Sequence, residues 1–196
     1  IPLFLEYVSK LKPKYFVMDD LPQSFNALPI KGYIDLLPEY DLFPEWVSNY
    51  NYGNIQKHRK RMFLIGSLKS ENYIFEPNEK EKFSSWTVRD KIGDIEGKWG
   101  CLPNHHGENG EMKVRPSLAR LDYDWTSPVL TGVNPSMHPT ICLPISIRER
   151  ARIQGFPDNF EFFGSELIDG KWEHGAKNSN MVKQTGKAMP IEFNEY

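Results

Sequence analysis

The chain has 196 residues, of which 39% are hydrophobic and 13% aromatic, enough to bury a core in one domain or in one domain with a small appendage. No apolar stretch approaches the roughly 18 to 20 residues that a membrane-spanning helix requires, and the longest runs, such as Met62 to Ile65, have strand length, so a globular cytoplasmic protein is expected. A formal net charge of -2 excludes retention on a polyanion by bulk charge, leaving local clusters as the means of holding one.

In chain order, Leu3, Phe4, Tyr7, Val8 and Leu11 recur at helical spacing, and Pro13 ends the pattern. Glu6 interrupts the apolar run and no basic leader precedes it, which argues against a signal sequence. A chain opening on Ile1 rather than Met is expected to be truncated, processed, or one piece of a split protein. Lys14 to Met18 is short, aromatic and β-branched, and reads as a buried strand ending in the carboxylates Asp19 and Asp20. In open α/β sheets, ligands bind at such carboxyl ends. Residues from Leu21 to Trp46 carry four prolines and read as loops around one short helix. Strands at Glu45 to Tyr50 and Met62 to Gly66 then bracket the basic run Lys57-His58-Arg59-Lys60-Arg61.

Lys69 to Lys82 is polar and acidic, with Glu71, Glu76, Glu79 and Glu81, as expected of a surface linker. Trp86 to Ile95 predicts a short helix, with Thr87 and Asp90 in N-terminal roles and Gly97 past its end. Gly97 to Gly110 reads as loop. The cysteines Cys101 and Cys142 form no disulfide framework, and Cys101 with His105 and His106 offers too few ligands at the wrong spacing for zinc. Leu118 to Thr140 alternates short segments with turn residues, which fits a small irregular, β-containing region. Ser146 with Glu149 makes a capping box, and Gly155 with Pro157 a clean stop, around a helix bearing Arg148, Arg150 and Arg152.

That last helix, Ser146-Ile147-Arg148-Glu149-Arg150-Ala151-Arg152-Ile153-Gln154-Gly155-Phe156-Pro157, and the later Gln184-Thr185-Gly186-Lys187-Ala188-Met189-Pro190 resemble motifs IX and X of the DNA cytosine-5 methyltransferases. Lys12 to Leu21 is similar to motif VI, a strand that ends in Glu-Asn-Val in the family. Gly53-Asn54-Ile55-Gln56, then Arg59-Lys60-Arg61 and the strand Met62 to Gly66, resemble motif VIII. Arg120 to Gly132, with His138-Pro139, resembles the approach to motif IX. These segments occur in the family's order.

The resemblance implies an α/β fold: the C-terminal part of a Rossmann-like S-adenosylmethionine-dependent methyltransferase sheet plus a small irregular, β-containing target-recognition region. It divides the chain into residues 1–66, bearing motifs VI and VIII; 67–145, a reduced recognition region; and 146–196, the motif IX helix and motif X return. It further implies methyl transfer from S-adenosylmethionine to carbon 5 of a cytosine flipped out of double-stranded DNA. In that chemistry a cysteine thiolate attacks ring carbon 6, while a carboxyl at ring nitrogen 3 and a guanidinium at the exocyclic oxygen stabilise the charge that develops.

Position by position, Asp19 stands for the family's catalytic Glu and Asp20 for its Asn, and Asp19 is one methylene shorter. Arg59 and Arg61 match the Arg-x-Arg pair and are assigned to the flipped base and nearby phosphates. With Gln56 one residue further away than usual, Lys57-His58 contains an insertion; Gln56, Lys57 and His58 are expected at the DNA, and Arg150 within reach of phosphate. Arg148, Arg152 and Gln154 are expected in a structural network. In motif X, Gly186, Lys187 and Ala188 are the expected cofactor contacts, with Lys187 replacing an Asn. Asn104, His105, His106, Asn109 and Lys113 are either DNA contacts or loop residues. The family's Pro-Cys nucleophile and its Phe-x-Gly-x-Gly cofactor loop do not occur in this sequence, so the chain alone is expected to be inactive. Three readings stay open: part of an enzyme whose missing N-terminal half or second subunit carries the cysteine, a degenerate homologue that binds DNA or a partner, and an unrelated basic-turn nucleic-acid binder.

Overall fold

Helix α1 (Pro2–Leu11) opens a computed structural model that describes residues 2–21, 23, 29–76, 85–106, 119–132, 136–163, 167–168, 171–172 and 178–190. The chain separates into two compact units, one formed by Ile1–Ser48 with Lys60–Lys80, the other by Asn49–Arg59 with Glu81–Tyr196. The glycine turn with Gln56 to Arg59 thus belongs with the C-terminal residues, and the chain changes unit between Arg59 and Lys60. No helix among the described residues is long and apolar enough to cross a membrane.

The first unit contains α1, β1 (Tyr15–Asp20), α2 (Ile30–Leu36), β2 (Tyr40–Ser48) and β3 (Lys60–Leu68). Its sheet has the order β1-β3-β2, and β3 is antiparallel to both neighbours. β1 and β2 therefore run parallel and need a crossover, which α2 provides. Side chains alternate across a sheet: Phe16, Met18 and Leu64 face the two helices and share a core with Leu5, Val8, Tyr33, Leu37 and Tyr40.

Two expectations change here. β1 is an edge strand buried on one face, with Tyr15 and Val17 exposed, because no other strand pairs with its outer side among the described residues. It also extends through both aspartates, which pair opposite Phe63 and Met62. On α1 the sheet takes up Leu5 and Val8 with part of Phe4, while Leu3, Tyr7 and Leu11 face outward. Pro44 lies inside β2, and an edge strand tolerates it because the missing N–H removes no central ladder bond.

The second unit has α3 (Val88–Ile92), α4 (Ile147–Ile153), the short hairpin β4 (Leu167–Ile168) and β5 (Lys171–Trp172), and α5 (Asn178–Lys187). α3 begins at the expected Thr87/Asp90 capping box but stops at Ile92, where a 3-10 turn through Ile95 takes over. Its buried Val88 and Ile92 join Ile55, Leu121, Leu130, Ile145 and Ile153 in one core. Residues 119–132 and 136–145 are joined by isolated bridges, including Arg120 with Met137 and Met137 with Pro144. This agrees with the irregular region read from the sequence.

α4 shows how sequence fixes both ends of a helix. Ser146 Oγ accepts from the Glu149 N–H at 3.1 Å, and the Ser146 N–H donates to Glu149 Oε2 at 2.7 Å, satisfying donors that a helix start leaves unpaired. At the other end Gly155 adopts φ 83°, where a side chain would be strained. The Phe156 N–H then reaches Ala151 O at 2.9 Å and the Gly155 N–H reaches Arg152 O at 3.0 Å, a Schellman closure. Phe156 turns back onto Ile147, Ala151, Phe162 and Met181. Arg152 fixes the exit by bonding both carboxylate oxygens of Asp158 at 2.7 Å.

α5 makes backbone contact with residues 131–132, and Gly186 permits it. A methyl group there would lie 2.4 Å from Gly132 N and from Thr131 C. Gly186→Ala is expected to destabilise by about 2 kcal/mol or more, since backbone must move on backbone; an unchanged urea midpoint would show that the contact opens freely. The Arg152 guanidinium holds the Asp158 carboxyl below its ordinary value of 3.8. A lowered folded value means that the stabilisation is present above pH 3.8 and is lost as pH falls through the folded value. Because Asp158 is 41% exposed, the contribution is well under about 1 kcal/mol. Asp158→Asn should flatten the acid limb of a stability profile accordingly, and an unaltered limb would remove the pair from it.

Candidate functional site

The antiparallel ladder of β1 with β3 brings Asp19 and Arg61 together in the first unit. Asp19 sits opposite Phe63, and Arg61, two residues before Phe63 on β3, projects from the same sheet face. Arg61 Nη1 lies 3.7 Å from Asp19 Oδ2, with 33% of the Asp19 side chain and 12% of the Arg61 side chain exposed. The carboxylate is thus one third exposed and the guanidinium is largely buried. Asp20 points to the opposite face, where its Oδ1 accepts from the Leu21 N–H at 2.7 Å. Burial, and secondarily the Asp20 charge, raises the Tyr33 phenol above its usual range.

A carboxyl and a guanidinium at this separation suit the polar edge of a pyrimidine. Cytosine presents an exocyclic amine that donates, a ring nitrogen that accepts and a carbonyl oxygen that accepts; a carboxyl serves the first two and a guanidinium the last.

The remaining residues singled out from the sequence lie in the second unit, and most are interior. Gln56 is fully buried: its Nε2 donates to Asn54 Oδ1 at 3.2 Å and Gln154 Oε1 at 2.8 Å, and its Oε1 accepts from the Leu130 N–H at 2.9 Å. Arg59 is buried and donates to the carbonyls of Leu130 at 3.2 Å, Gly186 at 3.2 Å and Ala188 at 2.7 Å. It therefore caps the carbonyl-rich end of α5, where a cation opposes the helix dipole. Arg59 and Arg61, one residue apart from being neighbours in sequence, do different things in this structure: one ties backbone, the other faces a carboxylate. Lys57 and His58 are exposed, as a DNA contact requires.

Arg150, expected within reach of phosphate, is fully buried. Its Nε donates to Thr185 Oγ1 at 3.1 Å and its Nη2 to Thr131 O at 2.6 Å, while Nη1 has no hydrogen-bond partner among the described residues. Loss of hydration pulls this guanidinium down to about 10. Arg148, also fully buried, donates to the carbonyls of Pro103, Pro157 and Phe160. Arg152 is bound to Asp158 and Asp94, and Gln154 joins Gln56 to the Thr185 carbonyl. The network expected of Arg148, Arg152 and Gln154 is present, and it takes in Gln56, Arg59 and Arg150 as well.

At the motif X segment, Gly186 and Ala188 give their carbonyls to Arg59, Gly186 packs on Thr131 and Gly132, and Lys187 is exposed in the last turn of α5. His105 is buried between Ser146 Oγ and the Ile95 carbonyl, each at 2.9 Å, and so is a packing residue. Asn104 bonds the Phe162 backbone in both directions, and His106 is exposed. Asn109 and Lys113 lie outside the described residues.

Sequence reading missed Asn54, Thr185 and a buried pair behind α4. His138 Nδ1 accepts from the N–H groups of Thr140 at 3.2 Å and Ile141 at 3.1 Å, which assigns the proton to Nε2, 3.4 Å from Glu149 Oε1. Asn54 stands inside the quoted Gly-x-x-Gln turn, where its neighbours gave no hint that its amide would reach the Ile153 carbonyl at 3.0 Å.

Residues 123–196 match the model of the family described as C-5 cytosine-specific DNA methylase. The type II methyltransferase M.FnuDI of Fusobacterium nucleatum is 25% identical over 238 residues covering 97% of this chain, and M.Sau96I of Staphylococcus aureus is 27% identical over 239 residues covering 99%. The chain spans 66% and 55% of the lengths of these two relatives. Among solved structures, a candidate DNA modification methyltransferase encoded within an E. coli prophage matches with a TM-score of 0.65 at 22% identity, over 96% of this chain and 69% of that one. At that identity the likeness shows a shared fold. The family's model thus matches the C-terminal residues, and methyltransferase relatives align along nearly all of the sequence, so the chain is similar to the C-5 cytosine-specific DNA methylases.

Proposed function

We propose that this chain is the base-holding part of a DNA cytosine-5 methyltransferase, with Asp19 and Arg61 gripping a cytosine extruded from double-stranded DNA. The observation that carries the reading is the 3.7 Å approach of Asp19 and Arg61 on one sheet face. The family's motif VI supplies the acid at the end of one strand and motif VIII the guanidinium at the start of the next, and the β1–β3 register is what makes two such residues neighbours. On this reading residues 1–66 belong to a Rossmann-like catalytic domain, 67–145 form the reduced recognition region, and 146–196 carry motifs IX and X. The protein works in the cytoplasm.

In the reaction a thiolate adds to ring carbon 6 of cytosine, and electron density moves toward ring nitrogen 3 and the exocyclic oxygen. The Asp19 carboxyl hydrogen-bonds the nitrogen and amine edge. The Arg61 guanidinium stabilises the charge on the oxygen, a type of contact whose removal costs on the order of 100- to 1000-fold in rate. Neither Cys101 nor Cys142 follows a proline, so the nucleophile is assigned to polypeptide outside this sequence, on the same chain or on a second subunit. Lys57 and His58, exposed beside the base-binding motif in sequence, are assigned to DNA. Gln56, Arg59 and Arg150 act one step back, fixing the turn and helices from within.

The methyl donor of such a reaction is S-adenosylmethionine. Gly186, Lys187 and Ala188 do not make a pocket for it by themselves: Arg59 occupies two of their carbonyls and the Thr131–Gly132 backbone covers Gly186. Their part is to border a site built elsewhere.

The test unites this chain with the nucleophile-bearing remainder of the family fold and follows labelled methyl transfer into duplex DNA. Asp19→Ala and Arg61→Ala are each expected to lower the rate by on the order of 100-fold or more with the fold intact. Full activity in Asp19→Ala would remove the carboxyl from the mechanism. A wild-type assembly that binds DNA and transfers nothing would favour the degenerate-homologue reading, which the replacement of the family's Glu by Asp19 already suggests.

A further inference from the structure

Three segments of the second unit are stitched into one exposed strip by backbone bonds. The Lys57 N–H donates to Ser127 O at 3.2 Å, the Val88 N–H to Trp125 O at 2.9 Å and the Arg89 N–H to Tyr123 O at 2.9 Å. The turn carrying Lys57, the irregular run 123–127 and the start of α3 are thereby side by side. On the strip stand two indoles that the core does not use, Trp125 at 63% and Trp86 at 51% exposure. Each has a lysine over its ring: Lys57 Nζ is 5.9 Å from the Trp125 centroid and Lys91 Nζ is 4.5 Å from that of Trp86. Arg89 lies between them, 4.7 Å over Tyr123 and paired with Asp124 at 2.9 Å.

An exposed cation–π contact is weak, too weak to account for leaving two of the largest apolar side chains in water. Aromatic rings rimmed by cations fit a ligand that is anionic on one side and flat or apolar on the other. The acids nearby are each engaged by protein donors: Asp90 by the backbone and hydroxyl of Thr87, Asp122 by the Asp124 N–H, and Asp124 by Arg89. Among the described side chains of the strip, Lys57, Arg89 and Lys91 stand beside these three acids, and Trp86 and Trp125 are its exposed rings.

We propose that this strip, Lys57 with Trp125 and Trp86 with Lys91, is a second DNA contact surface that grips the sugar–phosphate backbone outside the base-holding site. The lysines pair with phosphates, the indole faces lie on deoxyribose or an unstacked base, and the indole N–H groups donate to phosphate oxygens. The inference rests on the reading that the chain handles DNA, but it uses residues that the base-holding pair does not.

Anisotropy of a fluorescently labelled duplex, titrated with the chain across a salt series beginning at about 50 mM, tests it. Lys91→Ala is expected to weaken binding several-fold and to lower the slope of log affinity against log salt by about 1. Trp125→Ala should weaken binding about tenfold with the slope unchanged, and Trp125→Phe should restore most of the loss. Wild-type affinity in both Lys91→Ala and Trp125→Ala would overturn the strip, as would failure of the unaltered chain to bind duplex at the lowest salt. Concentration-dependent self-association abolished by Trp125→Ala would also overturn it, by making the strip a protein interface. Methyl transfer that still depends on Asp19 while strip variants bind normally would leave the proposed function standing and the strip refuted.

Discussion

Everything chemical in the first unit depends on the ladder between β1 and β3. Asp19 and Arg61 are separated by more than 40 residues of sequence, and only the pairing of Asp19 with Phe63 puts them on one face. A slip of one residue would send Asp19 to the helix-covered side, where Asp20 now lies, and replace an open carboxylate by one facing the core. The register is fixed by the same alternation. Phe16, Met18 and Leu64 must face α1 and α2 for the core to close, and once they do, the face of Asp19 is decided. The placement of Asp19 beside Arg61 is thus specified by hydrophobic burial, the strongest sorting force available to the chain.

The second unit solves a different problem, that of holding long irregular segments in place without a sheet. Loops leave backbone carbonyls unpaired, and a buried carbonyl without a donor costs roughly 1–3 kcal/mol. Arginine suits that need because one planar group carries five donors. Arg59, Arg148 and Arg120 each engage three carbonyls from segments that no regular element joins, and Arg150 takes one more. Burying a guanidinium is itself unfavourable, as the depressed Arg150 shows. The unit tolerates this cost where one side chain satisfies several acceptors at once.

The legible parts of this fold were those whose cause is local. Both capping boxes, the glycine stop after α4 and the crossover helix α2 can be read from neighbouring residues, because each depends on bonds within a few positions. The convergence of Asp19 and Arg61 was legible through the motifs. The fates of Arg59, Gln56, Arg150 and His105 were not, since whether a polar side chain faces water or a distant partner is decided by contacts that reach 35, 41, 98 and 127 residues along the chain. The edge position of β1 was hidden for the same reason: strand composition reports that a face is buried, not how many neighbours the strand has.

The replacement of the family's Glu by Asp19 acquires a physical meaning in this setting. A side chain one methylene shorter reaches less far, and an error of about 1 Å can cost on the order of 100-fold where groups must meet in a hydrogen-bonded constellation. β1, however, does not end before its acids. It continues through Asp20, so Asp19 is carried on paired backbone opposite Phe63 rather than on a loop tip. A short side chain on a paired strand has fewer torsions to fix than a longer one, and precision is greater on a strand than on a loop. What is lost in reach is therefore partly offset in placement. Arg61, longer and only 12% exposed, is held 3.7 Å from the Asp19 carboxylate by the same ladder.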